Sequence, residues 1–145
     1  MRFILMVNAT EYSEAGVYHS NDFIREMIAY KKVLTEAGVL LAAEEIQPSS
    51  TGIKITHLSC GKEPELRAGP FPVEQALISK YFLIEAESET EALNWALRMP
   101  IQKEFGEVTI EMRRIEEMFN SKKSSRLRAM EADLADQLTM LRESR

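Results

Sequence analysis

The chain has 145 residues, 45% apolar and 28% charged, with a net charge of −5. That length suits one domain able to bury a core without disulfide or metal staples. The charge excess lies entirely in residues 1–115, and an acidic body of this kind disfavours phosphate backbones, so no nucleic-acid partner is expected.

Phe3-Ile4-Leu5-Met6-Val7 carries apolar side chains on both faces, the pattern of a central strand covered on each side. Five apolar residues are too few for a signal segment or a membrane span, which predicts a cytoplasmic protein without a membrane partner. Residues 8–20 read as a polar loop holding Gly16 and His19. A helix starts near Asn21 or Asp22, both good cap residues. Phe23, Met27, Tyr30, Leu34 and Ala37 recur at steps of three and four, and Gly38 closes the helix. A second strand follows over 39–43 and extends to Ile46, and the run from Pro48 to Gly52 reads as a turn. Ile53, Ile55 and His57 then alternate with Lys54, Thr56 and Leu58, which predicts a half-buried strand with His57 buried or facing a barrel interior. Cys60-Gly61-Lys62-Glu63-Pro64 links it to a short strand over 65–68. Cys60 is the only cysteine, so no internal disulfide forms, as suits a reducing compartment.

Gly69 and Pro70 punctuate the next turn, Gly because it accepts positive φ and Pro because it fixes φ. In the long strand over 77–86, Tyr81 shares a face with Ser79, Leu83 and Glu85, while Lys80, Phe82 and Ile84 share the other. Ser88-Glu89-Thr90-Glu91 is a capping box, Ala92, Trp95, Ala96 and Met99 line one side of a second helix, and Pro100 stops it. Val108, Ile110 and Met112 alternate in the last strand. Without the middle hairpin, this order is β-α-β twice, the split βαβ or ferredoxin-like α+β pattern with two helices on one face of an antiparallel sheet. Residues 116–145 form a separate C-terminal extension. There Leu127, Leu134 and Leu141 sit seven apart, with Met130 and Leu138 beside them, so an amphipathic helix over Ser125–Glu143 follows a flexible joint at 120–125.

Leu66-Arg67-Ala68-Gly69-Pro70-Phe71-Pro72, the Tyr81-bearing strand and Glu91-Ala92-Leu93-Asn94-Trp95-Ala96 occur in an order that resembles the DGPF-motif proteins of the YCII-related superfamily. The resemblance covers residues 1–115. It implies a homodimer in which two sheets pack face to face as a dimeric α+β barrel. Ala68 stands where the motif's aspartate usually is, and alanine cannot transfer a proton. The resemblance also implies a His/Asp pair, for which His19 and Asp22 are the nearest local counterpart and the catalytic candidates.

Arg67, Gly69, Pro70, Phe71 and Tyr81 form the candidate ligand site. A guanidinium offers a planar fork for a carboxylate or phosphate, Phe71 an apolar wall, and Tyr81 a polar handle. Metal binding is not expected: His57 and Cys60, three apart on an extended strand, point to opposite faces, and no second pair completes a tetrahedral set. No Gly-x-Ser-x-Gly, P-loop or Rossmann glycine pattern occurs, so no cofactor is expected. The leading reading is a small homodimer binding a small organic ligand, anionic if Arg67 holds it, in a barrel cavity. One alternative is a lyase, isomerase or hydrolase using His19 or a carboxylate as acid/base. The other is a regulatory interaction module linked to transcription control, which rests on the resemblance alone.

Overall fold

Alternation sends Phe3, Leu5 and Val7 to one side of the first strand, β1 (Arg2–Asn8), and all three are buried. The computed structural model describes residues 1–117 and 125–144. In β5 (Ile78–Glu85), Lys80, Phe82 and Ile84 form the buried set. Register brings the two sets together: Phe3 lies opposite Ile84, Leu5 opposite Phe82 and Val7 opposite Lys80. With β2 (Leu40–Glu45) and β6 (Ile110–Arg114) outside them, the strands run β2-β5-β1-β6, antiparallel throughout. This is the ferredoxin-like α+β arrangement that the element order predicts.

Two helices cover the Phe3–Leu5–Phe82 face. In α2 (Asn21–Glu36), Phe23, Met27, Tyr30 and Leu34 are the buried positions, as their spacing requires. Ser20 caps it, one residue before the expected site, its hydroxyl accepting from the Phe23 amide at 3.2 Å. At the other end Gly38 takes φ +72°, and Gly38 and Val39 donate to the Thr35 and Leu34 carbonyls, a Schellman closure. In α3 (Glu89–Leu97), Ser88 accepts from the Glu91 amide, while the Glu91 carboxylate reaches back to the Glu87 amide rather than that of Ser88. Tyr30 ties the helices together, donating to the Trp95 carbonyl at 2.6 Å.

Burial pushes the Tyr30 hydroxyl up to about 12, with Arg98 opposing the shift. An unfolded chain releases this proton near the ordinary value of 10.0, before the folded chain does. Stability from Tyr30 is therefore present below that value and lost as pH climbs through the folded one. Tyr30→Phe should flatten this alkaline fall and cost about 1 kcal/mol at neutral pH, where the Trp95 carbonyl loses its donor. Urea melts of both proteins across the alkaline range check it.

Three segments depart from expectation. The loop over 8–20 contains a short helix, α1 (Glu11–Glu14), because Thr10 and Ser13 cap one another's amides. The hairpin of β3 (Ile53–Thr56) and β4 (Glu65–Ala68) forms its own two-stranded sheet, and Ile53, Ile55 and Leu66 share a face that is 60–71% exposed. The half-buried strand is thus corrected to an open one, and His57 lies beyond its end, exposed, because β3 stops at Thr56. The C-terminal helix, α4 (Ser125–Glu143), matches its predicted span, but Leu127, Leu134 and Leu141 are 53–62% exposed within the chain. The joint expected at 120–125 lies outside the described residues, except for Ser125.

Candidate functional site

Where β1 ends and β5 begins, the helix layer stops short of closing over the sheet. A cavity of about 510 Å³ opens there. Val7, Lys80 and Ile110 form its sheet side, and α2 supplies Phe23 and Met27. The segment after α3 contributes Met99, Gln102 and Phe105. Pro100 causes this last wall: it ends the helix and sends the chain back across the sheet end.

Lys80 is the unusual residue. Strand parity groups it with Phe82 and Ile84, so its side chain enters the core layer and is only 6% exposed. Its ammonium lies 5.0 Å from the centre of the Phe23 ring and 3.8 Å from a Glu45 carboxylate oxygen. Glu45 comes from the neighbouring strand, directly opposite Lys80. Burial lowers the Lys80 pKa below its ordinary 10.5; Glu45 opposes that, and Lys31 adds to it.

His19 sits on the adjacent wall. Its Nδ1 lies 2.7 Å from the Gln102 amide oxygen. An amide oxygen only accepts, so in this pair Nδ1 donates. The ring stacks against Phe105 at 5.2 Å and meets Phe23 at 4.6 Å, and Tyr12 from α1 also stacks on Phe105, at 5.2 Å. This ladder packs the imidazole at the wall. The site combines an ammonium, an oriented imidazole, an amide and aromatic surfaces in one hollow.

Of the catalytic and ligand-site candidates taken from the sequence, His19 alone lines this cavity. Asp22 is exposed and pairs with Arg25 at 3.2 Å, one helical turn on, while the partner of His19 is Gln102. Arg67 is exposed on β4, its guanidinium 5.5 Å from the centre of the Phe71 ring. Phe71 is buried beneath Lys54 and Arg67 as a plug for the hairpin. Tyr81 faces the other side of the main sheet, opposite Met6 and Glu44. Gly69 does not use positive φ. A side chain there would meet the Ser49 carbonyl oxygen at 1.8 Å, so close approach of two backbones is what demands glycine.

A family profile for the YCII-related domain matches residues 1–118, which takes in the main sheet, the hairpin and every residue of the cavity. The chain belongs to the YCII-related family. No curated protein matches it. Within this YCII-related domain, Lys80 and Gln102 are the site residues that sequence reasoning missed. Lys80 carried a readable signal, a charge on the same strand face as Phe82 and Ile84. Gln102 carried none, since its role depends on where Pro100 turns the chain. Among the described residues no His/Cys/Asp/Glu cluster could hold a metal, and no helix is long and apolar enough to cross a membrane.

Proposed function

We propose that this YCII-related protein is a cytoplasmic homodimer that binds a small organic anion in the cavity over Lys80. The carrying observation is an ammonium with little access to water and an imperfect partner. Glu45, at 3.8 Å, is beyond hydrogen-bond distance, and among the described residues it is the one carboxylate within 4 Å. A buried cation in that state gains from a second anion brought close. The cavity falls within the roughly 300–1,000 Å³ of small-molecule sites, and its aromatic walls suit a flat apolar body. Calorimetric titration with small aromatic carboxylates and their neutral amides tests this. The acids should bind at least about tenfold more tightly than the amides; equal affinities would sink the anion reading.

The homodimer is supported by the face of the main sheet opposite α2 and α3, where Ile4, Met6, Ala42 and Leu83 are only half-buried among the described residues. A second sheet would cover them. Light scattering at micromolar concentration should return twice the chain mass, and Leu83→Arg should return the monomer. A monomeric parent protein would overturn this part. An enzymatic reading has one observation in its favour: His19 lines the cavity with Nδ1 engaged by Gln102, which leaves Nε2 as the ring nitrogen for a substrate to meet.

A further inference from the structure

We propose that Lys80 captures carbonyl compounds covalently, so that the ligand class of the cavity includes a flat aldehyde or ketone held as an imine. This rests on the same cavity reading but asks more of the amine than charge. Carbonyl capture needs a nucleophilic nitrogen, a group that moves protons beside it, and an apolar space for the carbonyl's body. All three meet here. Lys80 reaches the hollow from the strand side, with Glu45 3.8 Å from its nitrogen and the Phe23 ring centre 5.0 Å from it. The Glu45 side chain is 62% exposed, so its carboxylate connects the nitrogen to bulk water.

The step balances without an outside reagent. Glu45, 3.8 Å away, takes a proton from the ammonium through one bridging water, and the freed lone pair forms a C–N bond to the carbonyl carbon. The C=O π pair moves onto oxygen, which receives the proton back through Glu45. The carbinolamine nitrogen, which still carries two protons, gives one to Glu45, which passes it to the hydroxyl. The C–O bond then breaks, water departs, and the freed nitrogen lone pair closes the C=N bond as an iminium. One carbonyl and one ammonium become one iminium and one water, with charge unchanged and no oxidation or reduction. Burial has already moved Lys80 toward its free amine.

Benzaldehyde with cyanoborohydride, followed by peptide mass spectrometry, reads this directly, because the reductant fixes the imine as a benzyl amine. Lys80 should be labelled several-fold faster than the exposed Lys32, Lys62 and Lys103, since the cavity holds the aldehyde against its nitrogen and burial favours its free amine. Benzoate should slow labelling at Lys80 and not at the other three. Lys80→Arg should lose the rapid label, because a guanidinium does not form the imine. Labelling of Lys80 no faster than of the surface lysines, with benzoate still bound, overturns carbonyl capture and leaves the anion site standing. Failure of both benzoate and benzaldehyde to bind overturns the two together.

Discussion

Replacing Lys80 by methionine is expected to abolish tight binding of small carboxylates while leaving the fold as stable as before or more so. The two effects have separate causes. A hydrogen bond to a charged group contributes about 1.5–3 kcal/mol, so affinity should fall roughly ten- to a hundredfold. Folding carries the opposite entry: the Lys80 ammonium is desolvated in the core layer and incompletely matched by Glu45. Methionine fills similar space without that cost, and replacing a buried ion by an apolar group is often neutral or stabilising by about 1–4 kcal/mol. The half-exposed Glu45 loses little, because water can solvate it.

The pH dependence gives an independent check. Lys80 has a folded pKa below its unfolded 10.5, so between those values the unfolded state binds more protons. Stability should therefore rise with pH across that window as the desolvated charge is discharged, and Lys80→Met should remove the rise. Tyr30 acts in the opposite direction at high pH and is common to both proteins, so the difference between them isolates Lys80. Loss of stability in Lys80→Met at neutral pH, with carboxylate binding unchanged, would show that Lys80 is a structural ion and no ligand.

Sequence revealed the frame of this molecule because the frame depends on local periodicity. Phe23, Met27, Tyr30 and Leu34 identify their helix and its buried face without any tertiary information, and Ser88 and Gly38 mark helix ends through backbone chemistry that acts over four residues. The cavity was much less legible. Its parts come from β1, α2, β5 and the segment after Pro100, which are far apart in the chain. Lys80 stood on the apolar face of its strand, yet the alternating run Leu77 to Ile84 is apolar on both faces, so parity alone did not say which face the helices take. His19 drew attention as a titratable group, but its partner Gln102 is 83 residues away, beyond any local pairing rule. The hairpin misled in another way. Ile53 and Ile55 alternate as a buried strand would, but in a two-stranded sheet with nothing above that face among the described residues they are exposed.

The Gly-Pro-Phe turn acts at a distance from the cavity, and Gly69→Ala is expected to have the largest effect of any single methyl added to the chain. The new Cβ would fall 1.8 Å from the Ser49 carbonyl oxygen and 2.7 Å from its carbon, both backbone atoms with no rotamer to escape into. Either the turn or the Ser49 segment has to move, at a cost of about 1–3 kcal/mol or more for overpacking of this kind. Movement would not stop there. Ser49 is held by the Glu14 carboxylate, which accepts from its amide at 3.1 Å and from its hydroxyl, and the same hydroxyl accepts from the Phe71 amide at 2.8 Å. Glu14 belongs to α1, whose Ser13 and cap residue Thr10 line the cavity. A displaced turn therefore loosens the hairpin, then α1, then one wall of the site. Gly69→Ala should lower the urea midpoint, raise hydrogen exchange in β3 and β4 before the main sheet, and weaken carboxylate binding through α1. Arg67→Ala, two residues away but exposed above Phe71, should leave both stability and binding close to the parent. If Gly69→Ala melts with the parent and Arg67→Ala loses the ligand, the turn is itself a binding site and the clamp through Ser49 and Glu14 is incidental.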